Sequence, residues 1–179
     1  MPEQCLRYDD LFKIPRGLMP MPVLSDNVRS IISGAIKART RGDYNHFMWL
    51  IDYDTLASQG VTGFKRYSIK DYAKRSRLKI FYAIGPENGR GWDVDVRENV
   101  TAAIEDDLRK PWYRQRYDFL AYIGQLTSIR AIQSPWADIC SEKAKYIPGF
   151  DLRNPSPKDV NKWLERSPDF RIYGRYTPD

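Results

Sequence analysis

Histidine and cysteine are scarce in this chain. It carries one imidazole, His46, and two thiols, Cys5 and Cys140, in 179 residues. The usual Cys/His zinc sites are therefore poorly supplied, and neither a metal nor another cofactor is called for. Two cysteines make no disulfide framework and lean toward a reducing compartment. No apolar run approaches the length of a membrane span. The opening MPEQCLRYDDLFK lacks the apolar stretch of a secretion signal. The expectation is a cytoplasmic chain without a transmembrane segment, with a phage- or envelope-associated role open by another route. A Gly-rich phosphate loop and a G-x-S-x-G nucleophile elbow are also missing, which removes the commonest nucleotide-binding and serine-hydrolase signatures. There is no internal repeat and no linker to split the chain, so one domain over 1–179 is expected.

What is present suits a globular protein with a full core: 42% hydrophobic residues against 29% charged. The net charge is +6, with basic clusters at Lys65-Arg66, Lys74-Arg75-Ser76-Arg77 and Arg114-Gln115-Arg116. Interleaved tyrosines bring nucleic acid to mind. The excess is modest, however, and Glu105-Asp106-Asp107 stand close by, which argues against a nucleic-acid partner. An anionic substrate or a plain solvated surface fits equally well.

Residues 1–24 are proline-rich and read as an irregular arm or a first short strand. Ser25-Asp26-Asn27 offers a helix cap ahead of Val28, Ile31, Ile32, Ala35 and Ile36 at helical spacing. HFMWLID (46–52) is apolar on both faces, as in a strand central to a sheet. TLASQGVTGFKRYS (55–68) predicts a second strand that turns or bulges at Gly60 and Gly63. A short helix capped by Ser68 follows, then a strand over 78–85 and a loop over 86–91. Helices are predicted over 96–110, ended by Pro111, over 117–132, and within 134–150. The tail NPSPKDVNKWLERSPDF opens a last helix with Ser156 at its cap and Pro157 at its first position, and a terminal strand, FRIYGRY, can follow. The order predicts an α+β fold, helices around a small, mixed central sheet, with 155–179 as closing helix and tail.

Cys140 lies in SPWADICSEKAK, at or near a predicted helix start. Free N–H groups and the positive dipole end there lower a thiol's pKa and favour the thiolate. They also provide donors for an oxyanion. A strand-borne histidine facing such a cysteine makes a nucleophile–base pair. The plainer alternative is that Cys140, after Trp136 and Ile139, is a small core residue, and that His46 is a packed or surface imidazole. Cys5 has no motif around it.

Four stretches carry a family resemblance: IISGAIKARTRGDYNHFMWLID, SQGVTGFKRYSIKDY, RYDFLAYIG, and DICSEKAKYIPGF followed by NPSPKDVNKWLE. In that order they resemble the circularly permuted, papain-like amidases of the NlpC type, the YiiX-like branch of bacteria and phages. The resemblance spans most of 28–165. It implies a permuted papain-like fold with a mostly antiparallel sheet, and a cysteine amidase or peptidase with Cys140 as nucleophile and His46 as base. Tyr117 matches a tyrosine near the site in relatives. Peptidoglycan-type peptides, other cell-envelope amides or lipid-linked acyl groups are the implied substrates. The family often orients its histidine with a glutamate on the following strand. Here that strand reads DTLASQGV, so Gln59, Ser58 or Asp54 must serve, and Gln59 is the expectation.

Overall fold

In a computed structural model of the chain, the described residues are 4–27, 43–60, 62–85, 89, 91–111 and 140–178. They form a seven-stranded sheet: β1 (Gln4–Leu6), β2 (Met21–Asn27), β3 (His46–Asp52), β4 (Thr55–Gly60), β5 (Gly63–Ser68), β6 (Ser76–Ala83) and β7 (Phe170–Tyr176). The strand order is β1-β7-β6-β2-β3-β4-β5. Only β1 and β7 run parallel; the other pairings are antiparallel. Three α-helices are described: α1 (Ile69–Ala73), α2 (Val94–Arg109) and α3 (Pro157–Arg166), together with a 3-10 helix over Cys140–Tyr146. No helix among the described residues is long and apolar enough to cross a membrane.

The class is α+β, but the sheet is the main body rather than a small centrepiece. Alternation along each strand sends side chains to opposite faces, and both faces are covered. One buries Val23, Met48, Leu50, Leu56, Leu78 and Ile80 with Ile69 and Ala73 of α1. The other buries Leu24, Phe47, Trp49, Ala57, Phe64 and Phe81 with Val100 and Ile104 of α2, Ala144, and Val160 and Leu164 of α3. This two-faced burial is why the run FMWLI within HFMWLID is apolar throughout. Removing Phe47 or Trp49 from such a site costs about 3–5 kcal/mol.

Several boundaries follow from local chemistry. The Ser68 hydroxyl accepts from the Lys70 N–H at 3.2 Å and starts α1. Ser156 and Asp159 form a capping box at α3, with Pro157 in the first turn. Of the two expected forms, the 55–68 segment turns rather than bulges: it is a hairpin, with Gly60 opposite Gly63 and Gly63 at φ +111°. The N-terminal segment differs most. It is no surface arm, because β1 edges the sheet and β2 lies in its interior. Ser25, Asp26 and Asn27, read as a helix cap, belong to β2. The helices predicted after Val28 and over 117–132 lie outside the described residues.

Candidate active site

His46 opens β3. On one side its register partner is Ser25 of β2. On the other, the β3–β4 ladder begins only at Met48 opposite Ser58, so His46 and Phe47 run beyond the last pair. Ser58 lies diagonally across the strands on the same face, and His46 Nε2 and Ser58 Oγ are 2.6 Å apart. The Ser58 hydroxyl is also 3.3 Å from the Tyr72 hydroxyl of α1. The Tyr72 ring lies parallel to the imidazole, with centroids 6.2 Å apart and 3° between planes.

Cys140 reaches the same strand end from the 3-10 helix. The Trp49 indole N–H donates to the Lys143 carbonyl at 3.0 Å, which pins that helix to the Phe47/Trp49 face. Lys143 Nζ meets Asp107 of α2 at 2.5 Å, Lys110 Nζ meets the same carboxylate at 2.6 Å, and the Tyr146 hydroxyl donates to it as well. Burial pushes the Asp107 carboxyl up, but the Lys143 charge and these hydrogen bonds outweigh it and hold the group well below the usual carboxylate range. The Ser141 hydroxyl donates to the Pro155 carbonyl at 2.5 Å. So held, the Cys140 sulfur faces the backbone N–H of Phe47, next in sequence to His46, and the N–H groups of Ser141 and of Cys140 itself. It also lies near enough to Tyr72 to raise that hydroxyl's pKa.

Among the described residues, Ser58 is the hydrogen-bond partner of the His46 ring, and no hydrogen bond joins that ring to the Cys140 thiol. Cys140 is 3% exposed. Burial pushes its thiol up to about 11; the Phe47, Ser141 and Cys140 N–H groups pull the other way, and Glu142 adds to the rise. The expected lowering by a helix start is thus overruled by desolvation. Burial likewise lowers His46 to about 4. Tyr72 is pushed up to about 12, first by burial, then by Tyr67 and Cys140 against the Ser58 hydrogen bond. At rest the Cys140 thiol and the His46 imidazole are both neutral.

Gln59 is not the residue at the ring. The β4–β5 register runs unbroken from Thr55–Ser68 to Gly60–Gly63. Without a bulge, alternation puts Ser58 on the His46 face and Gln59, fully buried, on the face of Ala57 and Phe64. Asp54 stands at the far end of β3, in the turn to β4, accepting from the Thr55 hydroxyl at 2.8 Å. Tyr117 lies outside the described residues.

The register also gathers residues that motif reasoning missed. Ser25, His46 and Ser58 share the α1 face on three neighbouring strands, and Ser76 of β6, opposite Asn27, extends the row. The hydroxyls of Ser25 and Ser76 are buried with no hydrogen-bond partner among the described residues. At the same end of the opposite face, Asp26 is fully buried and binds Arg77 at 2.5 Å and Asn45 at 3.0 Å. Strand parity therefore separates a neutral hydroxyl–imidazole row from a charged cluster. Among the described residues there is no group of three or more His, Cys, Asp or Glu that could hold a metal ion. No protein-family model matches the chain, and no curated protein matches it.

Proposed function

We propose that the chain is a cysteine hydrolase of amide bonds, built as a circularly permuted papain-like domain of the NlpC type. The observation that carries this is the meeting of Cys140 with the Phe47 N–H, one residue from the chain's only histidine. Ser58 engages Nε2, so Nδ1 is the ring nitrogen left to take the thiol proton. The Cys140 thiolate attacks a substrate carbonyl. Backbone N–H groups around the sulfur stabilise the oxyanion. The imidazolium protonates the leaving amine, and water releases the acyl-enzyme. A hydroxyl orients the ring without supplying the charge of a carboxylate, so the imidazolium gains less stabilisation than in an acid-bearing triad. Peptidoglycan-type peptides or lipid-linked amides are the substrate classes the resemblance implies, and a basic surface suits an anionic envelope polymer.

A second reading, a non-catalytic binding or phage structural module on the same fold, is favoured by the burial of Cys140. One experiment separates the two. Cys5 is exposed and Cys140 buried, so each molecule carries its own reference thiol. Iodoacetamide labelling is followed for both cysteines by mass spectrometry from pH 5 to 10. The hydrolase predicts labelling of Cys140 near neutral pH that falls by about tenfold or more in His46→Ala. A Cys140 that stays inert while Cys5 reacts, with no response to His46→Ala, overturns the enzyme and leaves the module.

A further inference from the structure

The Ser58 hydroxyl has one proton and two partners competing for it. It stands 2.6 Å from His46 Nε2 and 3.3 Å from the Tyr72 hydroxyl. A hydroxyl donates once and can accept twice. If Ser58 donates to Nε2, the neutral ring carries its own proton on Nδ1 and cannot accept one from Cys140. If Ser58 donates to the Tyr72 oxygen, its lone pairs are free for Nε2–H, and Nδ1 keeps its own. The direction of one hydrogen bond therefore selects the tautomer of the base.

Tyr72 is held where it can set that direction. Ile69 and Ala73 of α1 are fully buried in the core beneath the sheet, and Ser68 caps the helix. The Tyr67 ring meets Tyr72 edge-on, 5.9 Å between centroids at 79°. The parallel offset from the imidazole keeps the two rings side by side and presents the phenol oxygen to Ser58.

We propose that Tyr72 is a positioning residue: its oxygen takes the Ser58 proton, makes Ser58 an acceptor for His46 Nε2–H, and leaves Nδ1 as the basic nitrogen toward Cys140. The chain Nε2–H to Ser58 to Tyr72 is head-to-tail, so each hydrogen bond strengthens the next. This rests on the assignment of His46 and Cys140 as base and nucleophile. Neither the single histidine nor the strand pattern points to Tyr72; its place comes from a helix packed beneath β4.

The sole histidine makes the test direct. In uniformly 15N-labelled protein at pH 7.5, long-range 1H–15N correlations report one imidazole. The parent is expected to carry its proton on Nε2. Tyr72→Phe keeps the ring and its stacking but removes the hydroxyl. It is expected to move the ring toward the Nδ1–H form and to slow Cys140 alkylation by about tenfold, part of the roughly 10²–10⁴ that a positioned base supplies. Ser58→Ala should abolish the preference, and Ser58→Thr should restore it. A parent ring protonated on Nδ1 overturns the proposal even if Tyr72→Phe fails to fold, and so does a folded Tyr72→Phe with the parent tautomer. If the hydrolase assignment itself is wrong, Cys140 alkylation shows no dependence on His46 while the tautomer still reads out, so the two failures are distinct.

Discussion

At the scale of single residues, parity decided the site. The sequence draws attention to His46 as the only histidine and to Cys140 by the residues around it. It does not reveal which residue hydrogen-bonds the His46 ring, since Ser58 and Gln59 are neighbours and only the face of β4 distinguishes them. A bulge at Gly60 would have reversed the answer; the hairpin register leaves none. The same burial that makes the site neutral has a measurable consequence for stability. Burial lowers His46 from its ordinary value of 6.5 to about 4. Between these values the unfolded chain binds a proton that the native chain does not, so stability falls as pH drops through that window. The expected loss is roughly 2 kcal/mol between pH 6.5 and 4.5. Asp107 is lowered as well, so its contribution is lost in the same sense as pH falls, but at lower pH still, below the ordinary carboxylate value. Urea denaturation of the parent and of His46→Gln over pH 4.5–6.5 checks this: the variant's stability should change far less with pH, and parallel curves would rule the mechanism out.

At the scale of elements, segments with strong local signals were legible almost to the residue. HFMWLID is β3, and Ser156-Pro157 starts α3, because alternation, caps and proline act within a few residues. The segment carrying Cys140 was not legible to that degree. Its described part is a 3-10 helix over Cys140–Tyr146, and what fixes it comes from elsewhere in the chain. Asp107 is 36 residues from Lys143, a separation no local pattern reveals. This carboxylate gathers Lys143, Lys110 and Tyr146, and it ties α2 to the strand end where Cys140 sits. Asp107→Ala would take the carboxylate from three donors at once, with Lys143 only 2% exposed. Breaking a buried pair in this way costs about 3–5 kcal/mol, whereas replacing both partners by apolar groups of similar size is close to neutral. Asp107→Ala is therefore expected to be strongly destabilised in urea and to label faster at Cys140 than Asp107→Leu/Lys143→Met. Equal stability of the two variants would show that the cluster does not hold this segment.

At the scale of the whole molecule, the N-terminal segment is woven into the sheet instead of lying across it. The prolines of IPRGLMPMPV suggested an arm, and Pro22 stands inside β2, an interior strand. The register explains how it is tolerated. Pro22 pairs with Trp49 of β3, while the β6 ladder begins only at Val23. At Pro22, β2 is locally an edge, and the missing N–H costs no ladder bond on that side. β1 then closes the far edge by pairing parallel with β7, bringing the two ends of the chain together in a way that depends on Gly174. A Cβ there would lie 2.6 Å from Leu6 Cγ and 2.9 Å from the Gln4 carbonyl oxygen. Gly174→Ala is expected to cost about 1–3 kcal/mol through overpacking. Leu6→Ala alone loses a buried side chain and costs about 2–5 kcal/mol. Leu6 supplies most of the clash, so the double variant should lose less than the sum of the single ones, with a coupling of about 0.5–3 kcal/mol. The Gln4 oxygen belongs to the backbone and cannot turn aside, so relief should be incomplete. A urea double-mutant cycle measures this directly. Additive losses would mean that β1 shifts to accept the methyl group, and that the close approach of β1 to β7 is not what makes glycine necessary at position 174.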